Sequence, residues 1–433
     1  MKKVALIAII LSLVASSSAG NSAYLDAALG AARWIKLSGL ATENGRAWPA
    51  DPLDPKSISP NLYSGTPGVV LFFIQLYRST GSQDFLKEAR AGADYLASSY
   101  PTVKDYGLYT GLSGIAFALH EAYKITRDKK HELAAKACLD SVRLGARKTG
   151  DGVEWNETTD IISGSAGIAL FLIYAAREMK APDLIQLASQ AGKRLIELSK
   201  AEQGGLKWAM TPAFRRLMPN FSHGTAGVAY FLATLYLETK EKVFLDHALA
   251  GARYLKAVAQ TEGDVCLIFH NEPDGKDLYY LGWCHGPTGT ARLFYQLYRA
   301  TGDGEWMQWV RRSARAVMSS GIPEKRTPGF WNNVSQCCGS AGVAEFFLAL
   351  HRATREKMYI DFAKRMTDDL LARATRDVTG SKWVQAEHRV RPELLVAQTG
   401  YMQGAAGIGI LLLNLDAEMK GKRPSIIFPD SPF

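Results

Sequence analysis

Ser222-His223-Gly224-Thr225-Ala226-Gly227, followed without a break by Val228-Ala229-Tyr230-Phe231-Leu232-Ala233-Thr234-Leu235-Tyr236, sets two glycines three apart at the head of an apolar run. The run is apolar on nearly every helical face, the pattern of a helix buried on all sides. The same arrangement opens at Gly65/Gly68, Gly111/Gly114, Gly164/Gly167, Gly286/Gly289, Gly339/Gly342 and Gly404/Gly407, with successive first glycines 46 to 65 residues apart. One such pair carries no information, but a fixed mark recurring along a chain is the signature of repeated architecture.

Between these runs lie segments of a different kind. Phe85–Leu96 and Phe244–Leu255 carry the i, i+3, i+4 stripe of helices with one solvated side, and Tyr24–Leu37 is a further such segment ahead of the first glycine pair. Seven buried helices alternating with seven amphipathic ones predict an all-α (α/α)7 toroid, apolar helices inside and amphipathic ones outside. Strand signals are confined to Val265–Phe269 and Ile426–Phe428. A glycine lacks a Cβ, so the inner helices are expected to start in tight turns and approach closely near the axis. Their positive dipole ends and free N–H groups should then converge at one end of the ring.

The 433 residues, 47% hydrophobic and 21% charged, exclude bulk disorder. Single cores usually stop growing near ~250–300 residues, but a ring of repeats grows without thickening any core. Residues 20–433 are therefore expected to form one toroid domain. Residues 1–19 read as a signal peptide: Met1-Lys2-Lys3, an apolar run from Val4 to Val14, and small residues at Ser17-Ser18-Ala19. This predicts an exported protein, periplasmic or secreted, with no stable membrane insertion after cleavage. The net charge of +9 falls to +7 once Lys2 and Lys3 leave, and its basic residues are scattered, which argues against a nucleic-acid partner.

Aligning the repeats on the first glycine brings the chemistry into register. One position before it stand Ser64, Thr110, Ser163, His223, His285, Cys338 and Gln403; two before it stand Tyr63, Tyr109, Ile162, Ser222, Cys284, Cys337 and Met402. Cys284, Cys337 and Cys338 thus project from adjacent helix starts toward one point, where helix dipoles favour thiolates and thiolates bind zinc. Three protein ligands leave a fourth position open for substrate, unless His285 or His223 closes it. Three thiolates leave zinc with a net negative charge, which suits delivery of a substrate sulfur better than activation of water. Cys138 and Cys266 fall outside the register. Three buried, inert cysteines are the competing reading.

Seven Gly-x-x-Gly marks with Trp283-Cys284-His285-Gly286 in the fifth and Cys337-Cys338-Gly339 in the sixth resemble the lanthionine synthetase C-like family, across essentially the whole mature chain. The resemblance implies an α/α toroid with zinc. It also implies addition of a peptide or small-molecule thiol to dehydroamino acids, by a thioether-forming cyclase or a thiol-adding relative. Cys284 and Cys337 match two family ligands, and Cys338 stands where a histidine is usual. His223 matches the family's acid/base histidine and Asp160 its aspartate, while His285 follows Cys284 at the substrate or behind the ligands. Helix capping remains the alternative for both His223 and Asp160. Tyr280 stands where peptide cyclases carry a basic residue. Trp48, Trp155, Trp208, Trp283, Trp331 and Trp383 precede inner helices. They either pack under loops or ring the mouth, and a tryptophan ring suits the rival reading of an exported α/α-toroid carbohydrate enzyme. A non-catalytic zinc-containing peptide-binding protein is the third reading.

Overall fold

A computed structural model describes residues 22–433. The segment read as a signal peptide, 1–19, lies outside the described residues.

Fourteen α-helices alternate outer and inner among the described residues. The outer ones are α1 (Ala23–Ser38), α3 (Gln83–Ser99), α5 (Lys129–Gly145), α7 (Leu184–Glu197), α9 (Lys242–Val258), α11 (Gly304–Ser319) and α13 (Lys357–Arg373). The inner ones are α2 (Thr66–Thr80), α4 (Leu112–Thr126), α6 (Ser165–Glu178), α8 (Thr225–Thr239), α10 (Pro287–Thr301), α12 (Ser340–Thr354) and α14 (Ala405–Met419). Every residue of α8 from Thr225 to Leu235 is buried, whereas α3 buries only a stripe, Glu88, Ala89, Gly92, Ala93 and Leu96. Each inner helix packs on the two inner neighbours, and α14 on α2, so the ring closes. Six inner helices pair with the outer helix that follows them; α14 pairs with α1, so the start of the described chain seals its end. None of these helices is long and apolar enough to cross a membrane.

The glycines act differently from the expectation. Each inner helix begins directly after the first glycine of a pair, and none has a side-chain cap. Their first N–H groups are not free. The preceding loop folds back over the helix start, so Thr66 donates to Ser59 O (3.0 Å), Leu112 to Asp105 O (2.8 Å), Ser165 to Thr158 O (3.0 Å) and Ala405 to Gln398 O (2.8 Å). Loop carbonyls thereby satisfy donors that a helix start otherwise leaves open. The same fold-back requires the second glycine. A Cβ would lie 2.2 Å from Leu108 O at Gly114, 2.0 Å from Ile161 O at Gly167 and 2.1 Å from Phe221 O at Gly227. At six of the seven second glycines the closest approach is to the loop's own carbonyl six residues back, and at Gly68 it is to Tyr401 in the loop before α14.

The loops also join one another. The N–H of Tyr63 bonds Tyr109 O, Tyr109 bonds Ile162 O, Ile161 bonds Ser222 O, and Ser222 bonds Cys284 O. Cys284 then bonds Cys337 O, Cys337 bonds Met402 O, and Met402 returns to Tyr63 O, all at 2.8–3.2 Å. These seven backbone bonds form a closed floor across the ring at the helix starts.

Strands occur where none were expected. Four hairpins follow outer helices: β1 (Leu40–Thr42) with β2 (Gly45–Ala47), β3 (Arg147–Thr149) with β4 (Gly152–Glu154), β5 (Lys200–Glu202) with β6 (Gly205–Lys207), and β7 (Thr375–Asp377) with β8 (Gly380–Lys382). A fifth joins β9 (Gln385–Ala386) and β10 (Leu395–Val396). Of the two predicted strands, Val265–Phe269 contributes only an isolated bridge from Leu267 to Gln260, and Ile426–Phe428 pairs with no strand among the described residues. Three-residue polar strands are too short for alternation to reveal. The hairpins deliver Trp48, Trp155, Trp208 and Trp383, whose Nε1 groups donate to the carbonyls of Ile35, Val142, Leu195 and Leu370 at 2.6–2.8 Å. Each acceptor lies thirteen residues back, near the end of the outer helix. These four, with Trp283 and Trp331, are buried, so the tryptophans pack under loops rather than line a mouth.

Gly114→Ala is expected to cost about 1–3 kcal/mol because a backbone carbonyl must move. Gly304→Ala, where a Cβ meets nothing within 4 Å, should be neutral or gain about 0.4–1 kcal/mol by restricting the unfolded chain. Urea unfolding of the two variants measures the contrast.

Candidate metal centre

Cys284 reaches the floor from the loop before α10, and Cys337 and Cys338 from the loop before α12. The Cys284 and Cys338 sulfurs stand 3.2 Å apart, those of Cys338 and Cys337 3.5 Å, and all three lie within 4.8 Å of one another. None is in a disulfide. Zinc–sulfur bonds of about 2.3 Å place tetrahedral ligands at separations of this order, and a soft all-sulfur set suits zinc. Cys284 and Cys337 are buried and Cys338 is half-buried, so the cluster opens on the Cys338 side. Among the described residues no histidine or carboxylate joins the group. The residues present therefore fit a metal ion with an open fourth position.

The thiols differ in electrostatics. Hydrogen bonds from Cys284 and Cys338, with a further one from Tyr63, outweigh burial and hold the Cys337 thiol well below its ordinary pKa. Burial and Cys337 push Cys284 up, and bonding to Cys284 and Cys337 pushes Cys338 up. Cys138 and Cys266 lie elsewhere, and burial pushes each up to about 12, the state of inert core thiols.

Tyr63 was in register yet carried no reason to be singled out. Its hydroxyl donates to Cys337 Sγ at 3.2 Å, and Gln403 Nε2 donates to that hydroxyl at 2.9 Å, which turns the phenolic proton toward sulfur. The seventh repeat therefore supports the sixth through the first.

His223 does not cap α8, whose start has no side-chain cap. Its Nδ1 lies 2.5 Å from Asp160 Oδ2. Asp160 is fully buried, and its other oxygen accepts from the N–H groups of Ser163 (2.9 Å) and Gly164 (2.8 Å). Asp160 thus holds the loop ahead of α6 with one oxygen and His223 with the other, and it caps no helix. Burial opposes charge on His223, but the hydrogen bond and charge of Asp160, aided by Cys337, raise its pKa overall.

His285 lies beside His223 at 5.6 Å between ring centres, and its Nδ1 is buried without a partner. Burial, with His270 and His223, drives its pKa well below the usual value. His270, unremarked in the sequence, stacks on His285 at 4.4 Å and meets Tyr280 edge-on at 4.3 Å. Burial, Arg389, His223 and Arg216 hold His270 down to about 4. Arg389, from the β9–β10 connection, acts on both His270 and Tyr280 and lowers the proton affinity of each, so a guanidinium reaches this wall from a distant segment. Neither His270 nor Arg389 occupies the repeat register, and no spacing rule points to them.

A model of the lanthionine synthetase C-like protein family matches residues 56–428. Among curated proteins, glutathione S-transferase LANCL1 of Danio rerio is 30% identical over 112 residues, 25% of this chain and 26% of that protein. The chain thus aligns with about a quarter of that relative's length. Nisin cyclase superposes with a TM-score of 0.63 at 16% identity, covering 90% of this chain and 92% of the other. An inactive variant of an α-1,6-mannanase from Salegentibacter sp. superposes with a TM-score of 0.52 at 13% identity, covering 91% and 99%. These structural likenesses show the fold.

The purified protein is expected to hold one zinc, lost in Cys284→Ala. Tyr63→Phe should retain it with affinity about 10–100-fold weaker, the range for removing a hydrogen bond to a ligand. Competition against a chromophoric chelator reads both. Unchanged affinity in Tyr63→Phe would show that the phenol only fills space.

Proposed function

Because the chain belongs to the lanthionine synthetase C-like family, we propose that Cys284, Cys337 and Cys338 hold a zinc ion, at which a substrate thiol adds to a dehydroamino acid. The observation that carries the reading is the three-thiol cluster beside the His223–Asp160 pair. Zinc, when bound, supplies the charge that keeps a substrate sulfur as thiolate near neutral pH. The substrate is a peptide thiol or a small thiol. Its sulfur forms a bond to the β-carbon of a dehydroalanine or dehydrobutyrine, and the π electrons move to the α-carbon.

The chain's own residues then manage the proton. Asp160 accepts from Nδ1 of His223 and leaves Nε2 to face the site as the acid. The same carboxylate favours the imidazolium, so His223 is charged when the α-carbon needs a proton. His285, held neutral, adds no competing positive charge beside it. Export as a periplasmic or secreted protein, with residues 1–19 removed, belongs to the same proposal and is supported by the Lys2-Lys3 and Val4–Val14 pattern.

The ring shared with carbohydrate enzymes supports the rival reading by architecture alone. The tryptophans that would stack on sugars are buried, with five of the six Nε1 groups bonded to backbone carbonyls.

Zinc-loaded protein should promote addition of a small thiol to a dehydroalanine peptide. His223→Ala should keep its zinc and lose about 10²–10⁴-fold in rate, as for loss of a general acid. An acid works below its pKa, so the rate should fall as pH rises through the raised pKa of His223. Asp160→Asn should bring that fall to lower pH. Turnover of a glycan with no thiol addition would replace the reading, and zinc retention with no turnover of either would leave the binding protein.

A further inference from the structure

The floor has a second side. Below it, away from the thiols, the inner helices enclose a lumen that the chain's last segment enters. Phe428 stacks on Tyr401 at 4.4 Å, and Arg292 Nη1 donates to the backbone carbonyl of Asp430 at 3.0 Å. A cavity of about 440 Å³ remains between this segment and the facing sides of α12 and α14. That volume falls within the roughly 300–1,000 Å³ of small-molecule sites. Tyr109 and Trp283 reach it from the floor and Tyr401 and Phe428 from the side; none of the three site cysteines lines it.

Two acidic groups of this lumen keep acceptor capacity unused. Glu345 is half-buried between buried Ala344 and Phe346, and the surface it exposes faces the cavity. Its oxygens accept from Asn414 Nδ2 at 3.1 and 3.3 Å, and Asn414 is turned that way because its own oxygen accepts from Gln75. No cation pairs with Glu345 among the described residues. Asp430 is 2% exposed, and its Oδ2 has no hydrogen-bond partner. The nearest charge is Arg292, 3.8 Å away, whose Nε is also unpartnered. Arg352 is engaged elsewhere, on Glu418 at 2.8 Å and Asn414 O at 2.9 Å. Glu345 thus has no ion pair within 4 Å among the described residues, and Asp430 keeps one buried oxygen without a hydrogen bond. Burial raises the pKa of both carboxyls, outweighing the opposing pull of Arg352 and Arg292 on Glu345 and of Arg292 and Tyr109 on Asp430.

We propose that this lumen is a second ligand site, which takes a small organic ammonium ion with an aromatic or apolar body. The ammonium donates to the open oxygens of Glu345 and Asp430, and the body packs on the aromatic wall, whose ring faces attract cations. Arg355, Lys422 and Arg423 at the rim are exposed. Solvent screens exposed charges over about 8 Å, so they bear on the rate of entry rather than on the charge preferred inside. The site is separate from the metal centre and does not depend on the chemistry proposed there.

Isothermal titration of the full zinc-loaded chain with phenethylammonium, 3-phenylpropionate and 2-phenylethanol separates charge from shape. Phenethylammonium is expected to saturate one site at least about tenfold more tightly than the other two, the scale of a charge-assisted hydrogen bond. Glu345→Gln should weaken it by about the same factor. Ala349→Leu, which narrows the cavity without touching a charge, should weaken it as well. Both variants should keep helical circular dichroism and their zinc, so failure here is distinguishable from failure of the metal reading. Saturable binding absent for phenethylammonium, equal affinity for 3-phenylpropionate, or a Glu345→Gln variant that binds as before would overturn the proposal.

Discussion

Seven backbone hydrogen bonds, passed from loop to loop until Met402 returns to Tyr63, hold the centre of this ring together. A helical toroid has no sheet across its middle, and inner helices alone would leave loop N–H and carbonyl groups unpaired where water is excluded. Unpaired buried backbone groups are costly, so the loops pair with one another. That closure fixes the level of every residue just before an inner helix. Cys284 and Cys337 are two of its members, and their sulfurs meet because their backbones are already joined.

The glycines follow from the same constraint. A loop that reaches the floor and still turns into a helix must pass over the helix start, and its carbonyls then take the first N–H groups. No space remains for a Cβ. The cost of this economy is electrostatic: helix starts whose donors are used by the loop have less to offer an anion. The Cys337 thiolate therefore draws on hydrogen bonds from Cys284, Cys338 and Tyr63, in a cluster that could hold a metal ion. In the third repeat the floor steps by one residue, accepting at Ile162 and donating from Ile161. Asp160 stands immediately before that step, with one oxygen on the loop and the other on His223.

The ring itself is permissive about chemistry. Similar rings carry sugar hydrolysis in other proteins, and function resides in what the floor presents rather than in the helices. Here one face of the floor presents sulfur and imidazole, and the other presents aromatic rings and the carboxyls of Glu345 and Asp430. The floor keeps the two environments apart while making both rigid.

Repetition made the fold legible from sequence. Fourteen helices, their alternation and their inside–outside assignment came from apolar periodicity, which depends on local geometry. The register before the glycines made Cys284, Cys337, Cys338 and His223 legible, because equal distance from a repeated turn means equal place in the ring. Tyr63 and Gln403 were in that register too, but a tyrosine or glutamine has many roles and only contact with Cys337 selects one. The hairpins escaped because three polar residues show no alternation, although the recurring tryptophan thirteen residues past an acceptor carbonyl is their trace. His270, Arg389, Glu345 and Asp430 belong to tertiary structure alone. They come from a loop outside the register, a distant hairpin, the middle of α12 and the final segment, and no local pattern sets distances between such parts. Their tertiary neighbours, and the burial that moves the proton affinities of His270, Glu345 and Asp430, exist only once the ring has closed around them.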